Sequence, residues 1–259
     1  MVGQTLSLNH TDCGDSRGRL RVTGKPDGSY VAYCHNCNAK GVAVPEWRSR
    51  IVRPPLVQQE GKSIPQPEHV VDDLRAFPKN GRLWLLSAGI TGDDVRQNRI
   101  VYNPASERIL LPGFWEGKMR LRQDRRLNGD GPKYLTYHDG TPWGKAFYAR
   151  NFEQVTDTVV IVEDILSAIR VAKLPKTTAV ACMSSGLMQF HVNHVASRGF
   201  RRILIFLDND TADVLRSVRI MQRKFALLCK AEIGIITADR DPKEHHTREL
   251  MQLIWGKES

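Results

Sequence analysis

A chain of 259 residues holds one large domain or two to three small ones, and its 41% hydrophobic content suffices for packed cores. No apolar stretch approaches the roughly 18–20 residues that span a bilayer, and the N-terminal run from Met1 to Thr5 lacks the apolar centre of a secretion signal, so a membrane role is excluded and a cytoplasmic setting is expected. A formal charge of +10 and a sequence pI of about 9.6 favour a polyanionic partner.

Residues 1–48 read as a zinc ribbon. His10 and Cys13 form one pair with a two-residue spacer, Cys34 and Cys37 a second, and twenty residues separate the pairs. A two-residue spacer lets both side chains of a pair reach one tetrahedral ion from a tight turn, and thiolate with imidazole selects zinc. One Zn²⁺ per chain follows; His35, inside the second pair, is an alternative to His10. The segments starting at Arg17 and Ser29 alternate like strands, with Pro26-Asp27-Gly28 as the turn. The odd number of cysteines, five, argues against a disulfide framework. Cys182 and Cys229 fall in apolar runs and read as inert core thiols.

Residues 49–69 read as a linker, since four prolines lie between positions 53 and 69 with few large apolar side chains. Gly61-Lys62-Ser63 is like the end of a phosphate-binding P-loop, but the first glycine of that motif would fall on Leu56, which rejects the reading. Residues 70–155 form a basic subdomain. Its first thirty residues read as helical, with a capping box from Thr91 to Asp94. Strands follow from Arg108 and from Lys118. Alternation along the second places Lys118, Arg120 and Arg122 on one face, a surface able to track phosphates; a solvated basic face is the alternative.

Residues 156–259 alternate strand and helix. Strands are expected at 158–162, 178–182, 202–207 and 231–236, and helices at 165–173, 187–197, 211–229 and 246–255. Short aliphatic strands between helices imply a mostly parallel sheet covered on both faces. Glu163 closes the first strand, and Asp208 and Asp210 close the third. In such a sheet the carboxyl ends of neighbouring strands line one crevice. Three carboxylates at that edge call for a hard divalent cation, Mg²⁺ or Mn²⁺, and for phosphoryl-transfer chemistry. Asp241, after the last strand, adds a weaker ligand candidate. Asp164 either joins the metal site or caps the following helix, and the cap is favoured. Ser184-Ser185-Gly186 follows the second strand and reads as a turn, either a plain entry into the next helix or one that belongs to the metal edge. His191 and His194, three apart on a helix, read as packing residues, and core packing is favoured over base stacking for Tyr134 and Trp143.

Glu163 after one strand and Asp208-Asn209-Asp210 after a later one resemble the TOPRIM domain. The stretch from Arg125 to Thr136, with Pro132-Lys133-Tyr134-Leu135 at its centre, is similar to the basic segment of bacterial and phage DNA primases. Ser87 to Thr91, Arg108 to Gly113, and Asp241-Pro242 also look like their primase counterparts. With the zinc ribbon, the resemblance covers nearly the whole chain in the family's order. It implies an α/β fold in which a zinc ribbon precedes an α+β basic subdomain and a TOPRIM doubly wound sheet. The implied activity is template-directed synthesis of RNA primers from nucleoside triphosphates on single-stranded DNA. Glu163, Asp208 and Asp210 would be the catalytic metal ligands, Arg125 and Lys133 phosphate contacts, and Lys145 a weaker nucleotide contact. The ribbon would read the template, and a separate replicative helicase would be a further partner. The sequence departs from the family pattern in placing histidine first in the zinc set and in carrying Asp164 and Asp213 where glycine is common. Lacking a helicase motor, the chain is expected to be a stand-alone primase of phage or mobile-element type. A TOPRIM nuclease or topoisomerase-like enzyme, and a non-enzymatic recombination mediator, are the rival readings.

Overall fold

The computed structural model describes residues 4–25, 29–43, 61–154, 156–184, 186–207 and 212–256. The chain forms two compact units, Met1–Gln59 and Glu60–Ser259.

In the first unit, β1 (Thr5–Leu8), β2 (Leu20–Gly24), β3 (Tyr30–Cys34) and β4 (Lys40–Ala43) form an antiparallel meander in that order. The two strands expected from the alternation are β2 and β3, joined with Leu20 opposite Cys34. Their turn at 26–28 lies outside the described residues. β1 and β4 are additions; both are exposed along their length. Cys34 is the one hydrophobic side chain buried among the unit's described residues. Asp15, also buried, latches the loop before β2 by accepting from the Arg17 and Arg19 amides at 3.0 and 2.7 Å and from Arg19 Nε at 2.8 Å. The Arg19 guanidinium holds its carboxyl well below the usual carboxylate range.

The second unit begins with α1 (Lys79–Ser87) and α2 (Gly92–Gln97). The expected capping box is present: Thr91 Oγ1 accepts from the Asp94 amide, and the Thr91 amide donates to Asp94 Oδ2 at 2.7 Å. Four antiparallel strands follow, β5 (Val101–Asn103), β6 (Arg108–Trp115), β7 (Lys118–Arg126) and β8 (Tyr134–His138). Pro112 is tolerated within β6 because β5 pairs only with residues 108–110, so Pro112 faces no ladder partner on that side. Residues 61–66, expected to belong to a linker, lie against this sheet. The Lys62 amide donates to the Asp139 carbonyl at 2.8 Å, Ile64 is buried, and Gly61 comes so near Asp139 that a Cβ would sit 2.3 Å from its carboxylate.

β9 (Phe147–Tyr148), β10 (Thr158–Val162), β11 (Thr177–Ala181), β12 (Arg202–Ile205) and β13 (Glu232–Ile235) make a sheet of order β13-β12-β10-β11-β9. β10, β11, β12 and β13 are parallel, and β9 is an antiparallel edge. The intervening helices are α3 (Ile165–Ala172), α4 (Gln189–Ser197), α5 (Ala212–Leu228) and α6 (Thr247–Trp255). Every residue of β10 and β11 is buried, as continuous aliphatic runs require of a sheet covered twice. Val160 and Val162 pack with α3 and α6, while Val159 and Ile161 pack with α4 and α5. The first of these cores also takes in Leu85, Ile109, Leu111 and Leu121, so the antiparallel and parallel sheets share one interior. Each fully buried Val or Ile here contributes about 1.5–3 kcal/mol relative to exposure. No described helix is long and apolar enough to cross a membrane.

Candidate active site and metal centres

His10, Cys13, Cys34 and Cys37 come together, with their ligand atoms all within 4.8 Å of one another. Two tight turns achieve this. One is the helical turn Thr11–Cys13, closed by Gly14 at φ 69°; the other follows Cys34, with Asn38 at φ 59° donating its amide to the Cys34 carbonyl at 2.9 Å. Cys13 Sγ is 3.8 Å from Cys34 Sγ, and Cys37 Sγ is 3.3 Å from His10 Nδ1. Zn–S bonds of about 2.3 Å in a tetrahedron put sulfurs about 3.8 Å apart, so the donor set fits zinc in type, number and spacing. Burial alone would push the Cys34 thiol up, but hydrogen bonds from the Cys37 and Asn36 amides and from His10 bring it down to about 6.

In the second unit, Glu163 follows β10 directly, and its carbonyl accepts from the Met183 amide at 2.9 Å. Its side chain is exposed. The register of Ile161 with Ile205, continued by Phe206 donating to the Ile161 carbonyl at 2.8 Å, brings β10 and β12 out of the sheet at the same edge. Asp208 and Asp210 lie beyond that point, outside the described residues.

Asp164 is the N-cap of α3. Its Oδ1 accepts from the Leu166 and Ser167 amides at 2.9 and 3.1 Å, and its Oδ2 from Ser167 Oγ at 2.9 Å. The favoured capping role is therefore present. The alternation of strand and helix does not reveal the side chain that joins it: Lys243 Nζ donates to Asp164 Oδ2 at 2.7 Å and also bonds Asp241 Oδ2. Burial opposes the charge on Lys243, but Asp164 and Asp241 hold its proton more firmly than usual. A lone lysine two residues after Asp241, in a run of acids, was the available signal.

The basic strands divide into two groups. Arg122 is buried and forms a two-pronged pair with Asp124, Nε to Oδ1 at 2.7 Å and Nη2 to Oδ2 at 3.0 Å, while Nη1 donates to the Pro65 carbonyl. Arg120 Nη1 donates to the buried carboxylate of Asp139 at 2.9 Å. Both guanidiniums are thus held by carboxylates of the fold. Arg108 is buried as well and donates to the Asp124 and Pro132 carbonyls at 3.0 and 3.1 Å, pinning the loop before β8.

Arg125 and Lys133 differ. The Arg125 guanidinium lies 5.3 Å from the Trp84 ring and 5.1 Å from the Tyr134 ring, and Lys133 Nζ lies 5.7 Å from Tyr134. Lys133 is exposed, and so is Tyr134 at 40%, contrary to the expected core position. Burial raises the Tyr134 hydroxyl's pKa, with Arg125 and Lys243 acting against Asp164 and Asp241. Lys145 lies farther along, its Nζ 2.5 Å from His138 Nε2. Trp143 stacks on Trp115 with ring centroids 4.2 Å apart, and His191 is wholly buried with Nδ1 2.6 Å from the Tyr148 hydroxyl, so these are packing residues.

No protein-family profile and no curated protein matches the sequence. Solved structures do. A DnaG catalytic core is similar over 65% of this chain and 68% of its own, with a TM-score of 0.50 at 16% identity. The Aquifex aeolicus primase, comprising zinc-binding and RNA polymerase domains, matches at 18% identity and TM-score 0.43 over 70% of this chain, which spans 47% of that structure. A DnaG catalytic domain bound to single-stranded DNA matches at 18% identity and TM-score 0.48, over 70% of this chain and 60% of that one. The chain carries the fold of the DNA primase catalytic core.

Proposed function

We propose that the chain is a DNA primase that joins ribonucleoside triphosphates into short primers on single-stranded DNA. The observation that carries this reading is the pairing, within one unit, of the cationic pair Arg125 and Lys133, 5.1 and 5.7 Å from the exposed Tyr134 ring, with a parallel sheet whose strand β10 ends on the exposed Glu163. Polymerisation needs both features: anionic template and triphosphate must be held where a hydroxyl attacks an α-phosphate and pyrophosphate leaves. Glu163, Asp208 and Asp210 would hold Mg²⁺ or Mn²⁺. Bound there, the metal supplies charge neutralisation and a lowered pKa for the attacking hydroxyl. An exposed carboxylate at the strand end, as Glu163 is, suits a hard cation.

Lys133, exposed, offers a point charge for a phosphate, and Arg125, 5.3 and 5.1 Å from the Trp84 and Tyr134 rings, offers a guanidinium fork. The exposed ring of Tyr134 offers a stacking surface for a base. Arg120 and Arg122 support the sheet that presents these groups. The ribbon, with one zinc held by His10, Cys13, Cys34 and Cys37, would contact the template. A cytoplasmic site of action, in the host if the chain is phage-encoded, and a separate replicative helicase complete the reading.

Incubation with labelled ribonucleotides and short single-stranded DNA templates tests it. Metal-dependent synthesis of oligoribonucleotides is expected. Template cutting without synthesis would assign the chain to the nuclease or topoisomerase class, and metal-independent DNA binding without either to the mediators.

A further inference from the structure

Lys243 occupies the point where two carboxylates of the acidic edge converge. Its Nζ lies 2.7 Å from Asp164 Oδ2 and also bonds Asp241 Oδ2, and the side chains of Lys243, Asp164 and Asp241 are 22, 30 and 23% exposed. We propose that Lys243 is a built-in cation that keeps a divalent ion out of the Asp164–Asp241 end of the acidic edge. This rests on the reading that Glu163, Asp208 and Asp210 hold the catalytic ions, and confines those ions to that set.

Two features of the geometry carry the inference. A carboxylate offers about four lone-pair sites. Asp164 has four donors: the Leu166 amide, the Ser167 amide, Ser167 Oγ and Lys243 Nζ. None is left for a metal while the lysine is bound and the helix capped. Second, the two aspartates come from different elements, the N-terminus of α3 and the turn after β13. Their convergence needs a positive charge between them, and the ammonium supplies it from within the chain. A Mg²⁺ at the same point would need oxygens at about 2.0–2.1 Å and a nearly complete octahedron, which the ammonium excludes by volume and by charge. Lys243 thus acts as a positioning residue: it sets how many ions the edge accepts and fixes the Asp241 turn against α3.

Counting bound Mn²⁺ by electron paramagnetic resonance on the zinc-loaded full chain tests this. Lys243→Met should bind one more Mn²⁺ per chain than the wild type. Lys243→Arg should match the wild type, and Lys243→Met combined with Asp241→Asn should return to the wild-type count. An unchanged count in a folded Lys243→Met chain overturns the proposal. Should Lys243→Met not fold, Asp241→Asn alone decides: its Mn²⁺ count and affinity should stay within about twofold of wild type, and a tenfold loss would show Asp241 to be a ligand already. The wild-type count bears on the polymerase reading separately. A wild type that binds no Mn²⁺ contradicts that reading, whereas the difference between variant and wild type alone decides the role of Lys243.

Discussion

Arg122→Met separates a residue that builds the fold from one that serves substrate. Arg122 and Asp124 are about equally buried, at 8 and 7% side-chain exposure, and are joined by two short hydrogen bonds. The Arg122 guanidinium also lies 4.5 Å from the Tyr137 ring. Removing it leaves Asp124 buried with no cation paired to its carboxylate. Breaking one side of a buried pair costs about 3–5 kcal/mol. In a unit of this size about 1 kcal/mol lowers Tm by about 2–4 °C, so the second unit should melt roughly 6–20 °C lower at pH 8. Burial already raises the Asp124 pKa with Arg122 in place; without the arginine it rises further. A carboxyl whose folded pKa is raised contributes most when protonated, so the deficit should shrink as pH falls toward 5 and grow toward 8. Asp124→Asn in the Arg122→Met background should recover most of the loss. Scanning calorimetry at both pH values measures this. A deficit below about 1 kcal/mol at pH 8, or one independent of pH, would refute the argument and return Arg122 to the set of free phosphate contacts.

Other outcomes follow from the same geometry. Chelation, or Cys34→Ser, should release one zinc per chain and unfold the first unit while leaving the second unit's melting transition in place, because Cys34 is the first unit's one buried hydrophobic side chain among the described residues; proton NMR of the ribbon's strands with metal analysis checks it. Burial pushes the His191 imidazole down to about 4, with His194 adding to the effect. Stability should therefore be complete above about pH 6.5 and fall on acidification toward pH 4, by about 3 kcal/mol for this group if the whole shift is lost. Urea unfolding across that range should show a flatter dependence in His191→Gln. Lys133→Ala should weaken single-stranded DNA binding about equally for all sequences and reduce the slope of log K against log salt by about 0.7. An unchanged slope would mark Lys133 as a solvated charge.

The parallel sheet was legible because its signals are local. Aliphatic runs such as 159–162 bury on both faces, and capping residues such as Thr91 and Asp164 announce helix starts within three residues. The zinc ligands were legible for the same reason, since a two-residue spacer is itself the geometry of the turn. Pairings between distant segments were not. Alternation put Lys118, Arg120 and Arg122 on one face, but nothing in the run reveals that Asp139, nineteen residues on, would take Arg120. Prolines at 65 and 67 suggested a linker, but the Pro65 carbonyl accepts from Arg122 and Ile64 is buried. The pairing of Lys243 with Asp164 spans seventy-nine residues and exists only because the parallel sheet brings its strand ends to one edge. Tyr134 was expected in a core rather than as a stacking group. It is exposed on β8, the edge strand of the antiparallel sheet, a position that strand period alone does not distinguish.

Primer synthesis by wild type and Glu163→Gln, compared on the same single-stranded templates with Mg²⁺ or Mn²⁺, tests the central claim most directly. The wild type should make short oligoribonucleotides only with the divalent ion present. Glu163→Gln, a surface change at a strand end, should lose about 100-fold or more while keeping its zinc, its melting temperature and its DNA affinity. Synthesis by Glu163→Gln at the wild-type rate, or a wild type that makes no oligoribonucleotide under any of these conditions, would contradict the account.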